Sequence, residues 1–288
     1  MKIPPLLIAL RPSQWTKNLV VAAALVFVGK ATDPSAVATT LGAIVVWCGL
    51  ASGVYLVNDL CDRERDRQHP RKRHRPLASG RISPTEAVGA AVVLLLGSLG
   101  CATVFGRPFL ALCALYVAVS LGYSLALREV VILDILAVSS GFVIRAAAGA
   151  AALHVETSSW ILMCTLYLSL LLSLGKRRQE LSMLEAGAAR HRANLEEYSL
   201  PFLDGMMLLF TGAALMTYTL YAFTSGRHTT NLAWTLPCVL YGLLRYLYLV
   251  FEKGEGGSPT DLLLQDRPLQ VTVLAWGLIA GAILHFQP

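Results

Sequence analysis

The 288 residues are 55% apolar and 15% charged, with a mean hydropathy of +0.58, which excludes an ordinary soluble domain. A net charge of +6 needs no nucleic acid to explain it, because the basic residues sort by membrane side. The six cysteines build no framework and no zinc site. Cys48, Cys101, Cys113, Cys164 and Cys238 lie in apolar stretches, Cys61 sits among acids, and no CxxC or His/Cys grouping occurs.

Apolar runs near 20 residues recur along the chain, the length a helix needs to cross about 30 Å of hydrocarbon. In chain order they are Trp15–Gly29, Ala36–Val57, Pro84–Val104, Pro108–Leu127, Ile132–Leu153, Ser158–Gly175, Pro201–Phe223, Leu232–Phe251 and Pro268–His285. The expected fold is an all-α polytopic membrane bundle, a single domain over 1–288. It has about nine transmembrane helices around a central polar cavity open to the cytoplasmic side. The first run is short and is expected to continue from an interfacial segment, Leu6–Arg11. Met1 to Leu10 holds one Lys and is broken by Pro4-Pro5, so no cleaved signal peptide is expected.

Of the 24 Lys and Arg residues, only Lys30, Arg107 and Arg227 fall on one side, and Arg145 and Arg245 lie within spans. The rest crowd the other side. The positive-inside rule then puts the N-terminus in the cytoplasm and the C-terminus outside, in a cell (inner or plasma) membrane.

The most informative passage follows the second run: Asn58-Asp59-Leu60-Cys61-Asp62-Arg63-Glu64-Arg65-Asp66. At about 100° per residue, a helix aims Asp59, Asp62 and Asp66 into an arc of roughly 60°. Three converging carboxylates repel one another unless something positive lies between them. A hard cation such as Mg²⁺, sharing its shell with phosphates, meets that need. The competing reading is a solvated helix end whose acids pair with Arg63, Arg65 and Arg67.

Two inner connections are long, residues 58–83 and 176–200, and are expected to cap a site. The first runs through His69-Pro70-Arg71-Lys72-Arg73-His74-Arg75-Pro76, with a helix stopping before Pro70 and a turn set by Pro76 and Gly80. The second opens Gly175-Lys176-Arg177-Arg178-Gln179-Glu180-Leu181, and a short amphipathic helix is expected through Tyr198. Basic clusters like these serve membrane topology or bind anionic groups. Beside Mg²⁺-holding acids, Lys72, Arg73, Arg75, Lys176 and Arg177 read as phosphate grips. Arg178, about 100° from Arg177 on a helix, is expected to tolerate Lys.

Charges inside spans imply a polar cavity or a partner. Asp134 and Arg145 fall about 20° apart around one helix and are expected to line one cavity at different depths. Arg145 is alternatively a structural pair with another helix, and Arg245 a bundle contact. Lys17 is either an interface anchor beside Trp15 or a residue reaching the same cavity.

The motif Asn58-Asp59-x-x-Asp62-x-x-x-Asp66 after a transmembrane helix resembles the first acidic motif of the UbiA superfamily of intramembrane prenyltransferases. Further stretches are Arg11-Pro12-x-x-Trp15-x-Lys17-Asn18, His69-Pro70-x-Lys72-Arg73-x-Arg75-Pro76, Leu133-Asp134 with Arg145-Ala146-x-Ala148-Gly149, and Gly175-Lys176-Arg177-Arg178-x-Glu180-Leu181. They are similar to the decaprenyl-phosphate phosphoribosyltransferase branch. Family members that prenylate aromatics carry a second acidic motif, DxxxD, where this chain has Lys176-Arg177-Arg178-Gln179-Glu180.

The resemblance implies Mg²⁺-dependent transfer of 5-phosphoribose from phosphoribosyl pyrophosphate to a polyprenyl phosphate, releasing diphosphate, for lipid-linked arabinose and cell-wall precursor synthesis. Asp59, Asp62 and Asp66 would hold the metal with Asn58 assisting. Lys17 and Arg145 would serve the acceptor phosphate. The alternative is a prenyltransferase moving a prenyl group from a prenyl diphosphate to an aromatic or other small acceptor. A non-enzymatic transporter fits less well, since neither inverted repeats nor matching broken helices occur. Chain length of the lipid and a homo-oligomeric state stay open.

Overall fold

The computed structural model describes residues 4–68, 72–185, 197–224 and 229–286, and among them every regular element is helical. The order is α1 (Pro5–Ala9), a 3-10 segment (Pro12–Ala22), α2 (Ala23–Phe27), α3 (Pro34–Cys61), α4 (Arg63–Gln68), α5 (Pro84–Ala102), α6 (Arg107–Leu125), α7 (Leu133–Ala152), α8 (Ser159–Glu185), α9 (Leu200–Thr224), α10 (Thr229–Leu232), α11 (Leu236–Phe251), α12 (Pro259–Gln265) and α13 (Arg267–Phe286). Among the described residues, α3, α5, α6, α7, α8, α9, α11 and α13 are long and apolar enough to cross a membrane, eight in all.

Local chemistry sets the starts. Proline stands in the first two positions of α3, α5, α6 and α11, where its missing N–H costs nothing. Asp33 caps α3 by accepting from Ser35 N at 2.9 Å. Ser83 and Glu86 form a capping box on α5, with Ser83 Oγ accepting from Glu86 N at 3.2 Å and Glu86 Oε2 accepting from Ser83 N at 2.8 Å.

Two expected spans come out differently. The run at Trp15–Gly29 is not one α-helix but the 3-10 segment followed by the five-residue α2. Eleven 3-10 residues at about 2.0 Å each reach about 22 Å, against about 16 Å as α-helix. The tighter coil stretches a short run. The run ending at Gly175 continues to Glu185 as α8, because Leu174 and Leu181 keep burying the same face and nothing after Gly175 breaks the helix. The expected amphipathic helix beyond it lies mostly outside the described residues.

Contacts divide the chain into two compact units: Met1–Leu25, Lys30–Leu127 and Ile144–Thr157 in the first, and Val26–Gly29, Arg128–Val143 and Ser158–Pro288 in the second. The first is built on α3, whose Ala43, Trp47, Leu50 and Val54 pack with Phe109 and Tyr116 of α6 and Ile144 and Ala148 of α7. Gly149 is needed there. A Cβ on it would strike the Val21 carbonyl, so α7 and the 3-10 segment touch backbone to backbone. The second unit packs Leu170, Leu171 and Leu174 of α8 against Leu203 and Met207 of α9 and Tyr246, Leu247 and Val250 of α11. A smaller cluster joins Tyr218 and Tyr221 to Leu232, Ala280 and Leu284.

Candidate active site

The acidic motif lies where α3 passes into α4. Asp62 marks the break, with φ −95° and ψ 2°. Helical hydrogen bonds nevertheless run through it: Asp62 N donates to Asn58 O at 3.0 Å and Asp66 N to Asp62 O at 2.8 Å. Asp59, Asp62 and Asp66 therefore stay about one turn apart, as the spacing predicts.

Asp59 and Asp66 are both buried, each 3% exposed. Arg75 Nη1 donates to Asp59 Oδ1 at 3.1 Å and to Asp66 Oδ2 at 2.6 Å, and Arg11 Nη2 donates to the same Asp59 Oδ1. The chain itself supplies the positive charge between these acids. Arg75, expected to grip phosphate, instead bridges two carboxylates, because buried acids claim the nearest guanidinium. Asp62 is half-buried and stays outside that bridge.

The remaining oxygens suit a hard cation. Asp59 Oδ2 and Asp66 Oδ1 accept nothing from the described residues. Asn58 Oδ1 is buried without a hydrogen-bond partner. No three His, Cys, Asp or Glu side chains among the described residues close around a metal by themselves. Mg²⁺ does not require that, since it binds through one or two carboxylates and keeps waters and phosphate oxygens. The donor set fits Mg²⁺.

Arg11 is a site residue whose role sequence patterns do not reveal. Its backbone is left-handed, φ 52° and ψ 60°, a conformation that costs a non-glycine residue about 1–3 kcal/mol. Its guanidinium lies 5.0 Å from the Tyr55 ring centroid. Ser52 fastens this stretch to α3, accepting from Trp15 Nε1 at 3.0 Å and donating to Leu10 O at 3.0 Å. Beyond α4, Lys72 and Arg73 sit on a 3-10 turn, half-buried and exposed respectively. The expected turn is present: Gly80 has φ 75° and Arg81 N donates to Pro76 O at 2.9 Å. His69, Pro70 and Arg71 lie outside the described residues.

Arg145, on the first unit's half of α7, is buried. Its Nε donates to Asn18 Oδ1 and its Nη2 to Tyr116 OH, both at 2.9 Å. Its guanidinium lies 5.3 Å from the Trp47 ring and 4.6 Å from the Tyr116 ring. Expected to serve an acceptor phosphate, it is engaged as a helix-to-helix tie. Lys17 is half-buried beside Asn18.

Asp134 belongs to a separate network in the second unit. Fully buried, it accepts from Arg177 Nε at 2.8 Å on Oδ2 and from Tyr198 OH at 3.0 Å on Oδ1. Arg177 Nη1 also donates to Glu180 Oε2 at 2.6 Å. The hydrogen bonds described for Asp134 and for Arg145 go to different residues. Arg177 is buried in ion pairs with Asp134 and Glu180, because a desolvated Asp134 requires a compensating cation. Tyr198 OH also accepts from Ile132 N at 2.7 Å, holding a β-branched residue at φ 70°, a genuine outlier. Burial, reinforced by the Asp134 carboxylate, pushes the Tyr198 phenol up to about 12.

Arg178 is also held within the fold. Arg178 forks onto Asp204 at 2.5 and 3.5 Å, donates to Val250 O at 3.2 Å and covers the Phe251 ring, so it is not a spectator. Gly175 leaves the notch that takes the Tyr246 hydroxyl. Gln179 Nε2 donates to Gly254 O at 2.7 Å. Lys176 alone of the three cations is exposed. Arg245 is a bundle contact, forking onto Asp266 at 3.2 and 2.7 Å.

Residues 18–261 match the UbiA prenyltransferase family. The chain belongs to the UbiA prenyltransferase family. Relatives in this family include the decaprenyl-phosphate phosphoribosyltransferase of Corynebacterium glutamicum, 36% identical over 97% of this chain and 86% of that protein. The enzyme of the same name from Mycolicibacterium smegmatis is 37% identical over 97% of this chain and 92% of that one. The fold is that of a UbiA homolog from Archaeoglobus fulgidus bound to DMAPP and Mg²⁺, with TM-score 0.73, 17% identity and coverage of 97% of this chain and 98% of that one. The same homolog bound to GPP and Mg²⁺ also gives 0.73, over 97% and 99%. As a UbiA-family chain with these apolar helices, it is a multi-pass membrane protein.

Proposed function

We propose that this UbiA-family chain transfers 5-phosphoribose from phosphoribosyl pyrophosphate to a polyprenyl phosphate, with Mg²⁺, releasing diphosphate. The observation that carries the reading is near-full-length similarity to proteins named decaprenyl-phosphate phosphoribosyltransferase. A second observation agrees with it. Where a second acidic motif would hold another metal, α8 carries Lys176 with Arg177 and Arg178.

Asp59, Asp62, Asp66 and Asn58 are the residues that would hold Mg²⁺. When bound there, Mg²⁺ supplies charge stabilisation to the leaving diphosphate. Lys72 and Arg73, on the turn after α4, and Lys176, exposed on α8, each offset phosphate charge. A polyprenyl phosphate oxygen is already anionic, so no side chain has to act as general base. Attack on the ribose face opposite the diphosphate inverts the anomeric centre. Lys17 serves the acceptor phosphate, while Arg145 keeps the helices around it in register. The basic bias places the N-terminus and the stretches 58–83 and 176–200 on the cytoplasmic face of the plasma membrane.

The test is purified protein with Mg²⁺, polyprenyl phosphate and ribose-labelled phosphoribosyl pyrophosphate, followed by lipid extraction. Label in the lipid phase is expected. Product from prenyl diphosphate and 4-hydroxybenzoate, with none from the ribose donor, would move the chain to the aromatic prenyltransferases.

A further inference from the structure

In the first unit two guanidinium groups meet one carboxylate oxygen. Arg11 and Arg75 both donate to Asp59 Oδ1, and Arg75 continues to Asp66 Oδ2. Each acid therefore has one oxygen held, while the other accepts no hydrogen bond from a described residue. An unbraced carboxylate swings broadly about χ2, and two unopposed carboxylates spread apart. Here the braces are themselves braced. Arg75 N donates to Lys72 O and Arg75 O accepts from Ser79 N, both at 2.9 Å. Arg11 lies against the Tyr55 ring on a backbone at φ 52°, a conformation that suits glycine far better than arginine. Retaining arginine there makes sense if its guanidinium has to be aimed.

We propose that Arg11 and Arg75 are positioning residues for the divalent cation, pinning one oxygen of Asp59 and one of Asp66 so that the opposite oxygens form a seat before the donor arrives. The proposal rests on the Mg²⁺-dependent reading above and changes the role of Arg75 within it. The two possible roles predict opposite signs. A cation near a metal weakens its binding by Coulomb repulsion, so removing a mere phosphate grip tightens the metal. Removing a group that orients the ligands loosens it, typically by 10–100-fold.

The experiment titrates Mn²⁺ into the full-length chain in lipid nanodiscs, with neither donor nor acceptor present, and reads free Mn²⁺ by electron paramagnetic resonance. The relevant site is the one lost in Asp59→Asn. In Arg75→Gln and Arg11→Gly the Kd is expected to rise about tenfold. Glycine suits the backbone at position 11, so the Arg11→Gly melting temperature should hold, and this variant decides the matter if Arg75→Gln does not fold. A Kd that is unchanged or lower in the folded variants overturns the proposal, as does a wild-type chain that takes up no Mn²⁺ without donor. Wild-type protein that binds Mn²⁺ as stated but moves no ribose label into lipid would sink the transfer reading and leave the pinning intact.

Discussion

Asp59 and Asp134 are both buried aspartates held by arginine, yet they are built for different ends. At Asp134 each oxygen has a partner, Tyr198 on one and Arg177 on the other. At Asp59 both arginines crowd a single oxygen, and the second accepts no hydrogen bond from a described residue. A carboxylate with a partner on both oxygens is part of the scaffold. One that keeps an oxygen in hand, beside an orphaned Asn58 Oδ1 and a strained Arg11, is equipped for chemistry. Residue type does not separate the two; the count of satisfied oxygens does.

The contrast breaks most sharply at the acidic motif. Asp59→Asn or Asp62→Asn should lower turnover by about a thousandfold or more, with melting unchanged, and EDTA should abolish activity. Activity indifferent to EDTA and to both substitutions would return the motif to a solvated helix end. The next largest effect falls on stability. Arg177→Leu leaves Asp134 buried and uncompensated, at about 3–5 kcal/mol, seen as lost folded yield, while the donor KM of the protein that folds stays near wild type. A tenfold rise in KM without destabilisation would restore Arg177 as a phosphate grip.

Tyr198→Phe orphans Ile132 N and Asp134 Oδ1 and should cost about 1–3 kcal/mol in a denaturant or thermal melt. It also carries a pH signature. The phenol's pKa is raised in the folded chain, to about 12, above an unfolded value of about 10. Its contribution is fully present below the unfolded value and is lost as pH climbs from there toward the folded one. Wild type should therefore lose stability across that alkaline window, and Tyr198→Phe should lose less. Parallel curves would remove the phenol from the network. The smallest effect is at Arg178→Lys, where loss of the fork to the half-exposed Asp204 should cost about 0.5–1 kcal/mol. A silent substitution would mean that the fork contributes nothing.

Much of the fold was readable in the chain because bilayer thickness and proline at helix starts are strong local rules. Pro84, Pro108, Pro201 and Pro268 each stand within a residue of an observed start. The acidic face was readable because its register is local and survives the break at Asp62. Partnership was not. Arg75 and Arg177 look like phosphate grips until tertiary structure brings Asp59, Asp66 and Asp134 to them. Gly175 looks like a helix stop until the Tyr246 hydroxyl fills its notch. Neither the 3-10 coil at Pro12–Ala22 nor the left-handed backbone of Arg11 has a signature in composition or period.

The most direct test sets Asp66→Asn beside Asp134→Asn, measuring melting temperature and turnover per folded molecule for each. Both residues are buried and arginine-bound, and only Asp66 keeps an open oxygen. Asp66→Asn should melt close to wild type and turn over at least about a hundredfold more slowly. Asp134→Asn should melt well below wild type and retain most of its turnover per folded chain. The reverse pattern, with Asp66→Asn unstable but active and Asp134→Asn stable but inert, would contradict the assignment of chemistry to the first site and scaffolding to the second.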